Sequence, residues 1–176
     1  MKTIVVYSSV TGNTRAVAEA VLAALPPGAL IAPAHKAPDP DGFDFLALGF
    51  WVRKAMPDPR MLRYMARIKG KNVAWFGTLA AWPDSPHAMQ VRGNTAALLE
   101  GNTVLGGFLC QGRLAPRRFA AAMEGKGSPS HPLTEERKTR LLEAAKHPDE
   151  ADFIAAEAAF TAYYNQAMRL HGHILP

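Results

Sequence analysis

Five polar side chains crowd one short stretch near the start of the chain, Tyr7-Ser8-Ser9-Val10-Thr11-Gly12-Asn13-Thr14. Ser8, Ser9, Thr11, Asn13 and Thr14 lie between an apolar run and a helical pattern, so the turn opens a helix. A helix N-terminus exposes unpaired N–H groups and carries about half a positive charge. A phosphate set against it gains those donors, and neighbouring hydroxyls complete the cage. Gly12 lets the backbone come close to such a group. The turn holds no lysine or arginine, so the anion would be held by neutral donors alone. The competing reading is that Asn13 or Thr14 simply caps the helix. Capping needs one polar residue and five crowd this turn, which favours phosphate. Other phosphate motifs fail: no GxGxxG follows the first apolar run and no GxxxxGK[ST] occurs anywhere. The pattern C-x5-R also fails, because Pro116 stands where Cys110 would need its arginine.

The elements that must hold this turn follow from the apolar pattern. Met1–Tyr7 reads as a buried strand. Asn13–Leu25 has helical spacing, with Val17, Val21 and Leu25 on one face, and Pro26-Pro27-Gly28 stops it. A short strand over Ala29–Ala32 follows, then the apolar run Phe43–Phe50. Pro57-Asp58-Pro59 introduces a helix over Arg60–Lys69, and Asn72–Phe76 is a fourth strand. A helix over His87–Leu99 and a strand over Thr103–Cys110 come next. Gln111–Pro148 is less regular, although Thr134 suits an N-cap, and Asp149 begins a last helix. Fully apolar runs alternating with helices are what parallel strands covered on both faces require. The fold class expected is α/β, in one domain spanning residues 1–176.

At this point the segment Val5–Val21 resembles the N-terminal signature of the flavodoxin family. Two apolar residues precede Tyr7, then come Ser9, Gly12 at the small position, Thr14, Ala18 and Val21. The resemblance implies a three-layer, doubly wound open sheet of five parallel strands in the order 2-1-3-4-5. It also implies non-covalent flavin mononucleotide (FMN) at the carboxyl ends of the strands, where open α/β sheets place ligands. Carried onto this chain, Ser9, Thr11, Gly12, Asn13 and Thr14 would surround the phosphate, with Ser8 a weaker candidate. Members of the family sandwich the flavin ring between the loops after strands three and four. Those loops begin here at Gly49-Phe50-Trp51 and Gly77-Thr78, which makes Trp51 and Trp82 the candidate stacking residues. The alternative for each tryptophan is plain packing on the core. Backbone groups of Gly49, Gly77 and Thr78 would contact ring edges. One departure stands out: flavodoxins are acidic around the ring, whereas Arg53 and Lys54 follow Trp51 here. A nearby cation favours the anionic reduced flavin, which predicts a less negative potential for the last reduction step.

Composition supports this class. Apolar residues make up 48% of the chain, enough for a core without metal or disulfide staples. The single cysteine, Cys110, can form no intrachain disulfide or thiolate cluster and reads as a buried structural thiol in a reducing compartment. No secretory or membrane-spanning run is visible, so a cytoplasmic, soluble protein without membrane contact is expected. The window Trp51–Gly70 holds six bases against one acid, which equals the whole net charge of +5. A solvated helix face and a docking surface for an acidic partner both fit this patch, with Arg53, Arg60, Arg63 and Arg67 as contacts. Nucleic acid is disfavoured because no aromatics interleave with the bases. His171 and His173 form a weak metal pair, and His87 is read as a helix-start residue near the ring pocket. The functional expectation is an FMN-dependent electron carrier working between a reductase and an acceptor protein. The alternatives are an FMN-dependent NAD(P)H:quinone-type reductase acting on a small molecule, and a flavin-free binding module.

Overall fold

In the computed structural model, which describes residues 1–126 and 132–172, the first apolar run is strand β1 (Thr3–Tyr7), an inner strand of a sheet. Parallel partners flank it: β2 (Leu30–Pro33) on one side and β3 (Phe45–Arg53) on the other. Beyond β3 lie β5 (Asn72–Leu79) and β6 (Thr103–Gln111), both parallel. The remaining strand, β4 (Met56–Pro57), is a two-residue antiparallel partner of β3. The sheet order is therefore β2-β1-β3-β5-β6. With β4 set aside, the five parallel strands stand in the expected order 2-1-3-4-5.

Alternation along the strands assigns each side chain to a face. Ile4, Val6, Leu46, Leu48, Phe50 and Trp75 point to one side and meet Met61, Tyr64 and Met65 of α2 (Pro59–Met65) and Val91 of α3 (Pro86–Leu98). Val5, Phe45, Ala47 and Phe76 point to the other and meet Val17, Ala18 and Val21 of α1 (Asn13–Ala23) and Phe160 of α6 (Glu150–Gly172). Phe160 packs edge-on against Phe76 at 5.6 Å. Burying both faces of the sheet is what made the strand sequences read as continuous apolar runs.

Several elements differ from the sequence expectation at their ends. β3 continues past Phe50 to Arg53, and β5 continues past Phe76 to Leu79. β5 follows its partners, Thr78 pairing with Trp51 and Leu79 with Gln111, while β3 runs on into the β3–β4 hairpin, whose two-residue connection places Lys54 and Ala55 at φ 53° and 59°. Both lie in the left-handed region that a two-residue type I′ turn demands. Neither residue is the usual Gly or Asn, which is why the hairpin was not legible. The expected helix over Arg60–Lys69 ends early, at Met65. β2 is an edge strand with Leu30 and Ile31 exposed, so its pattern was the faintest of the five. The stretch Gln111–Pro148 holds two helices, α4 (Pro116–Met123) and α5 (Glu135–Ala144). Thr134 does cap α5, accepting the Arg137 N–H at 3.2 Å. Among the described residues no helix is long and apolar enough to cross a membrane.

Candidate functional site

The turn between β1 and α1 is pinned from within. The Ser8 N–H donates to the Gly49 carbonyl at 2.8 Å, and its hydroxyl donates to Asp58 Oδ1, also at 2.8 Å. Asp58 is 1% exposed and its Oδ1 also accepts the Arg60 and Met61 N–H groups at the start of α2. One carboxylate thus fixes both the turn and a helix, and the Ser8 hydroxyl is committed inward.

The N-cap of α1 is Gly12, at φ 91°, and no side chain caps this helix. Asn13 and Thr14, the residues expected to cap under the competing reading, do something else. Asn13 Nδ2 donates to the Arg113 carbonyl at 2.8 Å, and the Thr14 and Thr78 hydroxyls share a bond at 2.9 Å. Their side chains therefore stitch the turn to the ends of β5 and β6. The Ser9 hydroxyl and Asn13 Oδ1 are buried without a partner. A buried polar group left unpaired costs about 1–3 kcal/mol, and free N–H groups at a helix start add to that. An anion seated on the turn would accept from the Ser9 hydroxyl and from the free N–H groups, whereas Asn13 Oδ1, itself an acceptor, gains nothing from it.

Beside the turn, at the carboxyl edge of the parallel strands, lies a cleft of about 460 Å³. Thr11 and Asn13 form one end, with Val10, 72% exposed, at the mouth. Trp51 and Val52 of the hairpin form a second wall, and Thr78, Leu79 and Ala80 a third. The last wall is Gly112-Arg113-Leu114-Ala115 with Arg118 of α4. A Cβ at Gly112 would stand 2.8 Å from Asn13 Nδ2 and 3.2 Å from Thr78 Cβ, so glycine is needed for this wall to close on the turn.

A family model described as a flavodoxin domain matches residues 4–161. The chain belongs to the flavodoxin domain family. The flavodoxin-like domain-containing protein BilS of Clostridioides difficile is 28% identical over 162 residues, covering 89% of this chain and 92% of that protein. The flavodoxin-type fold is shared with a WrbA-like flavodoxin from Agrobacterium tumefaciens, with a TM-score of 0.61, 14% identity and coverage of 96% and 98% of the two chains. A flavoprotein from Lactobacillus acidophilus, crystallised in complex with FMN, matches with a TM-score of 0.52 and 15% identity over 61% of this chain and 92% of its own.

Within this flavodoxin domain the residues singled out from sequence fall into three groups. Thr11, Asn13, Trp51 and Thr78 line the cleft, and Ser9, Gly12 and Thr14 belong to the turn beside it. Gly49 and Gly77 have a packing reason of their own: a Cβ on the first would enter the Phe76 ring, and one on the second would stand 2.8 Å from Leu109. Trp82 does not line the cleft; it is half-buried before α3, where its carbonyl accepts the Ser85 hydroxyl at 2.6 Å. Arg53 and Lys54 stand exposed at the hairpin tip and do not line the cleft either. His87 is half-buried in the first turn of α3, also off the cleft.

Sequence reasoning missed the wall built by Arg113, Leu114, Ala115 and Arg118. The available signal was position: Gln111-Gly112-Arg113 leaves a strand at the ligand-binding edge of the sheet. His147 supports this wall, since its carbonyl accepts the Arg113 N–H at 3.0 Å. Burial pulls the His147 pKa down, but hydrogen bonding to Asp152 and the charges of Asp152 and Asp149 outweigh it, and the net shift is upward. Cys110 is 1% exposed, and burial, with the nearby charges of Asp152 and Asp149, pushes its thiol far above the ordinary range. It stays a neutral, packed thiol. His171 lies half-buried in the last turn of α6, and His173 lies outside the described residues.

Proposed function

We propose that this chain binds FMN, with the phosphate on the Ser9–Thr14 turn and the flavin ring in the adjoining cleft against Trp51, and carries electrons between a reductase and an acceptor protein. The observation that carries the reading is the start of α1: a helix end without a side-chain cap, beside the buried, unpartnered Ser9 hydroxyl. Family membership and the FMN held by the Lactobacillus flavoprotein support it. When bound, FMN supplies the ability to take up and release electrons singly or in pairs. The protein's part is to seat the phosphate, shield the ring and set its electrostatic surroundings. The basic residues Arg53, Arg60 and Arg63, all exposed, present a surface suited to an acidic partner. Arg67 of the same patch is paired with Asp39 at 3.0 Å and contributes less free charge.

The apolar part of the cleft wall at Leu114 and Ala115 also supports a second reading in which a small apolar oxidant, such as a quinone, meets the ring directly. The test is to incubate purified protein with FMN, record its visible spectrum, and then follow NAD(P)H oxidation with a quinone. Flavin uptake without turnover supports the carrier, and steady turnover without a partner reductase supports the second reading. Failure to take up FMN overturns both.

A further inference from the structure

The cleft is charged in an unusual way. Among the described residues its walls contain Arg113 and Arg118 and no aspartate or glutamate. Neither guanidinium meets a carboxylate in any ion pair or hydrogen bond among the described residues. Arg113 is held at its backbone on both sides, its N–H donating to His147 and its carbonyl accepting from Asn13. Arg118 sits one turn into α4, three residues beyond the Ala115 N-cap. That helix, like α1, starts without a side-chain cap. The cleft therefore gathers two unpaired cations and two free helix starts at one edge of the sheet.

We propose that Arg113 and Arg118 are the counter-charges that favour the reduced over the oxidised flavin in this cleft, a role that rests on the FMN reading above. Two-electron reduction with uptake of one proton leaves the flavin ring one unit more negative, the electrons coming from an external low-potential reductant and the proton from solvent. A cation near the ring favours that added charge and acts little on the neutral oxidised ring. The effect is differential: it changes the relative affinity for the two redox forms. A cation bound to the phosphate would instead strengthen both forms alike.

The experiment compares wild type with Arg113→Gln, Arg118→Gln, Arg118→Lys and Arg169→Gln, the last removing an exposed cation from the far end of α6. FMN and riboflavin affinities are measured in the oxidised state. Midpoint potentials are then measured during dithionite reduction against a reference dye. Each glutamine variant is expected to bind oxidised FMN as wild type does and reduced FMN about tenfold more weakly, which for a two-electron couple is roughly 30 mV lower. Arg118→Lys is expected to restore most of the potential, and Arg169→Gln to leave it unchanged. Equal weakening of both redox forms, confined to FMN and absent with riboflavin, assigns the arginines to the phosphate and overturns the proposal. So does an unchanged potential in both glutamine variants. If wild type takes up no FMN, the cofactor reading itself fails, which is a separate result.

Discussion

The helices of this protein begin in two different ways. Asp58, Ser85 and Thr134 cap α2, α3 and α5 with their side chains. Asp149 and Asp152 cap α6 reciprocally, each accepting the other's N–H. By contrast α1 and α4 begin at Gly12 and Ala115 with no side-chain cap. Both uncapped starts border the cleft, where Thr11, Asn13 and Ala115 form part of the wall. A missing cap costs roughly 1 kcal/mol, and paying it twice at one edge makes sense where a ligand provides the acceptor. The capped starts stabilise the fold; the uncapped ones leave backbone donors free, as the proposed phosphate site requires.

Changes at the capped and the uncapped starts test this contrast. The largest effect is expected from Asp58→Ala, which removes the α2 cap and leaves the buried Ser8 hydroxyl unpaired. Together these amount to about 3 kcal/mol in urea unfolding, and an unchanged midpoint would show that the carboxylate holds neither element. Next comes Gly12→Asp, which sets a carboxylate beside the free N–H groups of α1, where it competes with an anion. The left-handed backbone at Gly12 admits aspartate better than most residues. FMN affinity is expected to fall by about 100-fold, or roughly 2.7 kcal/mol, while the affinity for riboflavin, which has no phosphate, barely changes. Equal losses for the two ligands would move the phosphate away from α1.

Smaller effects sharpen the comparison. Ser9→Ala removes a buried hydroxyl that has no partner. The ligand-free protein should gain about 1 kcal/mol and FMN affinity should drop about fivefold, both measurable by unfolding and calorimetric titration. The smallest effect concerns His147, which bridges α5 and the capped start of α6. Its folded pKa is raised, so its contribution is complete below about pH 6.5 and is lost as pH rises through the folded value. Wild type should therefore lose stability relative to His147→Gln across that window, by no more than about 1 kcal/mol. Parallel pH profiles of the two proteins would remove His147 from the account.

The sequence by itself determined the sheet and the turn. Strands buried on both faces leave an unbroken apolar signature, and Pro26-Pro27-Gly28 gives α1 a clear stop. The hydroxyl-rich turn was legible for the same local reason, since its residues are consecutive. The cleft was not. Its walls come from residues as far apart as Val10 and Arg118, and only the register of β1, β3, β5 and β6 brings those loops to one edge. The sequence placed the cations nearest the ring at Arg53 and Lys54, because they follow Trp51 in the chain. The hairpin carries both to an exposed tip, while the chain after β6 brings Arg113 and Arg118 to the cleft wall. Neighbours in sequence are set by local propensity, but which charges share a cleft is set by how the strands pair, and that belongs to the tertiary structure alone.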